Sequence, residues 1–72
     1  MSPTLQEVKK KHEFGLLSIH GVISVGIGLN KDKIPAIIIG LEQANPDIIS
    51  GIPTELEGYP VEIQIIGSIK AL

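Results

Sequence analysis

Apolar positions recur with a helical period in the first quarter of the chain. Across residues 4–18 apolar side chains return about every 3.6 residues, which predicts an amphipathic helix. Thr4 followed by Glu7 is typical of a capped helix start, and Gly21 is suited to the stop. The predicted buried stripe consists of Leu5, Val8, His12, Leu16 and Ile19.

Three later segments, residues 22–29, 34–42 and 60–69, alternate apolar and polar positions with a period of two, which predicts strands. Residues 30–33 are polar and predict a turn, so the first two strands should form a hairpin. Asn45 before Pro46 indicates a short helical turn, and Glu57 with Gly58 indicates a turn before the last strand.

These elements predict one α+β domain over residues 1–72, in the order α-β-β-α-β. The N-terminal amphipathic helix should pack on a three-stranded, mainly antiparallel sheet, giving a two-layer sandwich. Periodicity leaves the strand order open. The side chains predicted to face the helix are Ile23, Val25, Ile27, Leu29, Ile37, Ile39, Leu41, Val61, Ile63, Ile65 and Ile69.

The opposite face of the predicted sheet should be flat and only mildly polar, because small residues dominate it. It consists of Ser24, Gly26, Gly28, Ala36, Ile38, Gly40, Gln64 and Ile66. Glycine within a strand permits close approach of another backbone. This face, or an unpaired strand edge, is therefore a candidate protein interface. A small-molecule pocket between helix and sheet near Phe14, His20 and Tyr59 is a second candidate site.

The small size of the chain favours association with a partner on physical grounds. A chain of 72 residues buries only about 60% of its unfolded surface on folding, and with no cysteine it has no disulfide to add stability. Two histidines are a poor basis for a closed zinc site. Association is the remaining means of stabilisation, so we expect a homo-oligomer or a complex with another protein.

Charge and hydropathy exclude other partners. A formal net charge of -2 offers no general attraction to nucleic acid or to anionic lipid. Apolar runs are too short to span a bilayer, and the first residues lack the order of a signal peptide. We therefore expect a cytoplasmic protein that binds neither nucleic acid nor membrane.

No motif for catalysis or cofactor binding emerges. His12 and His20 form no recognisable pair with a nucleophile. Gly26 and Gly28 fail the dinucleotide-binding pattern because Lys31 stands where a third glycine is needed. We expect no enzymatic activity, and assign no catalytic residue, metal ligand or cofactor-binding residue.

Several short stretches together resemble a known module: residues 21–28 (GVISVGIG), 36–39 (AIII), 52–53 (IP), 58–63 (GYPVEI) and 67–72 (GSIKAL). The chain resembles the short N-terminal accessory module that precedes the trypsin-like domain of bacterial and plant serine-protease-like proteins, including the narrow-leaf type. The resemblance implies a non-catalytic role, because in such proteins the catalytic residues belong to the following domain. We expect a freestanding relative.

The sequence thus predicts a non-catalytic protein-interaction or assembly module that self-associates. Two alternatives stay open. One is a protease-associated inhibitor or propeptide-like module, for which residues 49–60 would be the inserting segment. The other is a small-molecule binding protein.

Overall fold

The computed structural model describes residues 3–67, which form two helices and four strands. They are α1 (Leu5–Leu17), β1 (Val22–Leu29), β2 (Pro35–Leu41), α2 (Pro46–Gly51), β3 (Glu55–Leu56) and β4 (Tyr59–Ile65). The strands form one mixed sheet in the order β1-β2-β4-β3. The predicted α+β class with an N-terminal helix is confirmed. The predicted three-stranded, mainly antiparallel sheet is wrong in detail, because the sheet has four strands and β2 pairs with β4 in parallel.

Helix α1 begins at its predicted cap. The Thr4 hydroxyl accepts a hydrogen bond from the Glu7 N–H at 3.2 Å, and the Ser18 hydroxyl donates to the Gly15 carbonyl at the other end. Both bonds satisfy backbone groups that a helix terminus leaves unpaired. Gly21, the predicted stop, lies beyond the end of the helix and instead forms the turn into β1 with a φ of 95°.

The β1–β2 hairpin is confirmed, but a β-bulge changes its first residues. The register between the strands shifts between Val22 and Ser24, so Val22 lies opposite Leu41 and is buried. Ile23 was predicted to face inward as a regular strand residue, but it is the extra residue of the bulge, has no partner on β2, and has 47% of its surface exposed. The extra residue of the bulge breaks the alternation on which that prediction depended.

The connection between β2 and β4 explains their parallel pairing. Parallel strands need a crossover, which usually contains a helix, and α2 supplies it here. The Asn45 side chain caps α2 by accepting from the Asp47 N–H at 2.9 Å, and Pro46 follows it. The short helical turn predicted at this point is confirmed as α2.

A tight turn joins β3 to β4. Glu57 and Gly58 both have positive φ, at 49° and 91°, as a two-residue type I′ turn requires. These residues were predicted as a turn. Strand β3 was missed because two residues, Glu55 and Leu56, are too few to show a period.

Both helices contribute to one hydrophobic core on one side of the sheet. Its fully buried large side chains are Ile37, Ile39, Leu41 and Val8. Leu16 of α1 and Ile52, which ends α2, join the same cluster. Ile65 was predicted to face inward but is half-exposed at the end of β4, and Ile69 lies outside the described residues. Within residues 3–67, neither helix has the length and apolar character needed to cross a bilayer.

Candidate interaction surface

Strand pairing brings the eight predicted interface residues onto one side of the sheet, which we call the second face. Ser24, Gly40 and Gln64 are neighbours across β1, β2 and β4. Gly26 lies beside Ile38, and Gly28 beside Ala36. The N–H of Ile66 donates to the Leu41 carbonyl at 2.9 Å, which holds Ile66 next to β2.

Two of the eight residues are closed to a partner. Ala36 has no exposed surface, and Gly40 is buried beneath the Ser24 hydroxyl and the Ile66 Cδ1 atom. A Cβ atom at Gly40 would collide with both of those atoms. Internal packing therefore explains the absence of a side chain at Gly40, and a partner is not needed to explain it.

Gly26 differs from Gly40, because it lies open. A Cβ atom there would meet nothing within 4 Å. At Gly28 the corresponding atom would lie 3.1 Å from Ile38 Cγ1, so this position is tighter. A shallow concavity of about 370 Å³ covers this part of the second face, between β1, Ile38 and Gln64. Such an open shape suits another protein surface better than a small molecule.

Glu62 also lies on the second face, next to Ile38, and was left out of the predicted interface. Its side chain is half-buried. The alternation along β4 was a sufficient signal, since it places Glu62 on the same side as Gln64. A carboxylate in this position makes the face less apolar than the sequence predicted.

The three residues of the predicted small-molecule pocket lie apart. The Tyr59 hydroxyl donates to the Pro3 carbonyl at 2.7 Å, near the start of α1. Phe14 lies eleven residues further along, roughly 16 Å at the rise of an α-helix, and is 83% exposed. His20 lines a separate depression of about 140 Å³ near Ile48. The structure forms no common cavity from them.

Strand β1 is one border of the sheet and carries much of the exposed apolar surface. Ile23, Ile27 and Leu29 are 47%, 44% and 61% exposed. They account for three of the eight large apolar side chains exposed among residues 3–67. An unpaired strand edge was predicted as a possible interface, and the sheet order identifies β1 as a long strand in that position.

A groove of about 490 Å³ runs between this border and α1. Its lining residues are Gln6, Lys9, Lys10, Glu13, Gly26 and Ile27. Lys9 Nζ lies 2.8 Å from Glu13 Oε1, a pairing of residues four apart on the helix. The helix therefore presents both signs of charge beside the free edge.

Charged side chains also meet at the other side of α1. Glu57 in the β3–β4 turn lies 3.1 Å from His12 Nε2 and 3.6 Å from Lys11 Nζ. All three side chains are partly solvated, and a surface ion pair with Lys11 and a hydrogen bond with His12 join the turn to the helix. In the described part of the chain no three acidic or histidine side chains gather as a metal site would require.

Comparison of the chain with protein-family models, with curated proteins and with solved structures finds no match. The resemblance to a protease-associated accessory module therefore stays a prediction. No residue role is transferred from another protein, and the functional conclusion depends on the surface just described.

Proposed function

We propose that this protein is a non-catalytic interaction or assembly module that first associates with itself, in the cytoplasm. The observation that carries the proposal is the border strand β1, with its three half-exposed apolar side chains. Exposed apolar surface of this kind commonly marks an interaction site. Covering these side chains would contribute about 1 kcal/mol each, since each is already partly buried.

The described geometry favours this reading over both alternatives. Residues 49–60, considered as a segment inserting into a protease, are folded against the domain: Ile52 is buried, and Leu56 and Tyr59 pack on the core. The concavities are open and shallow, whereas small-molecule sites enclose most of their ligand.

The test is the solution mass of the full chain across a concentration series, by light scattering after size exclusion. We expect the mass to rise above that of the 7.7 kDa monomer, and the melting temperature to rise with concentration. Ile65→Thr is the control, because Ile65 is similarly exposed at 49% but lies away from β1. It should associate like the parent chain. A monomer at every concentration would contradict the proposal.

A further inference from the structure

The backbone groups of β1 that point away from the sheet follow from its pairing with β2. The Asn30 N–H donates to the Ile34 carbonyl at 2.9 Å, and the antiparallel register continues in step from there to the bulge. Bonded and non-bonded pairs alternate in such a ladder. The even-numbered residues of β1 therefore bond to β2. The N–H and C=O groups of Val25, Ile27 and Leu29 point to the outer edge of β1, where no other strand of the described residues pairs.

The side chains of these three residues lie on the helix side of the sheet. Val25 and Ile27 lie opposite the buried residues Ile39 and Ile37, so they continue the core toward the border. Ile27 and Leu29 are incompletely covered there. Natural edge strands are commonly protected by charges or proline, and β1 contains neither. The core is thus open at this border.

We propose that β1 pairs antiparallel with β1 of a second copy, about a two-fold axis at Ile27, so that two sheets become one. This inference deepens the proposed self-association and depends on it. In this register Ile27 faces its own counterpart, and Val25 faces Leu29 of the second copy. Every outward N–H and C=O group of the three residues then has a partner. The apolar side chains cover one another across the seam, while Gly26 faces Gly28 on the second face.

Charged side chains of α1 also lie near the proposed two-fold axis. Lys9, Lys10 and Glu13 line the groove beside Gly26 and Ile27, so they lie next to the proposed centre. A two-fold axis places the two α1 helices antiparallel. Lys9 and Lys10 of each copy then lie on the side of Glu13 of the other, so charges of both signs meet beside the axis.

The second face is a weaker candidate for the contact between copies. Glu62 lies on it beside Ile38, so two copies stacked through this face would bring carboxylates into the interface. Burying unpaired charge is unfavourable. Strand β1 has no charged residue, and pairing it with itself meets no such cost.

Amide hydrogen exchange of the full chain tests the register directly. We expect exchange at Val25, Ile27 and Leu29 to slow at least about tenfold as the concentration rises into the range where the mass doubles. The amides of Gly26 and Gly28 point to β2 and should be protected at both concentrations. A doubled mass without slowing at the three residues would overturn the edge pairing and leave the proposed self-association standing. A mass that never rises would overturn both.

Two variants separate the edge from the second face. Ile27→Pro removes an outward N–H and leaves the β1–β2 bonds intact, so we expect dimerisation to weaken at least about tenfold. Gln64→Lys adds a charge to the exposed second face on β4, away from the β1 edge, and should leave dimerisation unchanged. The reverse result would overturn the edge pairing. If Ile27→Pro fails to fold, Ile27→Thr, which keeps a β-branched side chain, is compared with Ile65→Thr and should weaken the dimer where Ile65→Thr does not.

Discussion

Glycine occupies different positions in this chain for different structural reasons. Placing a Cβ atom at each position shows what its surroundings allow. At Gly15, on α1, a Cβ atom would meet nothing within 4 Å. At Gly21 it would collide with the end of the Ile48 side chain, and the backbone has a φ of 95°. The first position tolerates any good helix former, whereas the second requires the left-handed conformation that glycine adopts freely.

Alanine at these two positions should therefore change stability in opposite directions. Gly15→Ala should raise the free energy of unfolding by about 1 kcal/mol, because alanine is the better helix former. Gly21→Ala should lower it by about 1 to 2 kcal/mol, because of the positive φ. Urea unfolding at one fixed protein concentration measures both. Equal changes in the free energy of unfolding would show that the backbone conformation at these positions does not determine the effect of alanine.

Among the elements, the β3–β4 turn combines a local requirement with a tertiary contact. Type I′ turns favour asparagine and glycine at their two central positions, yet the first position here is Glu57, with a φ of 49°. Its carboxylate contacts His12 and Lys11 of α1. The turn residue is thus less suited to its backbone conformation than to its contact with the helix.

Glu57→Asn tests which of these effects is larger. Asparagine adopts positive φ more readily, and a solvated ion pair contributes at most about 1 kcal/mol. We expect the free energy of unfolding to stay the same or to rise by less than about 1 kcal/mol. Glu57→Ala is the matched control, since it removes the contacts with Lys11 and His12 without relieving the backbone, and should be the less stable variant. A Glu57→Asn variant that is less stable than Glu57→Ala would contradict this expected order of stability.

At the scale of the whole molecule, stability depends on the central strand β2. It pairs with β1 on one side and β4 on the other, and its Ile37 and Ile39 are fully buried in the core shared by both helices. A domain this small has only a few kcal/mol of net stability. One core side chain therefore accounts for a large part of it.

Ile39→Ala should cost about 2 to 5 kcal/mol, through lost burial and the cavity left behind. Ile34→Ala is the control, because Ile34 is half-exposed and its loss should change stability by less than about 0.5 kcal/mol. Thermal melting at one fixed concentration compares them. Similar melting temperatures for the two variants would show that β2 is not the centre of the core.

Much of the fold could be predicted where the signal is local. Thr4 marks the start of α1, Asn45 with Pro46 marks α2, and the alternation over 22–29 gives β1 within its observed bounds. The bulge at Val22 and the short β3 could not be predicted. A bulge is defined by the partner strand, and two residues carry no period.

For the candidate surface, the sequence by itself determined which residues share a side of the sheet outside the bulge, because side chains alternate along a regular strand. The tertiary structure decided which of those residues are exposed and can contact a partner. Gly40 is buried beneath Ser24 and Ile66, and Glu62 lies beside Ile38. The tertiary structure also made β1 the border, since the helical crossover returns the chain to the far side of β2, and within residues 3–67 no strand pairs with the other edge of β1. Strand order depends on such contacts between distant segments, which no local pattern contains.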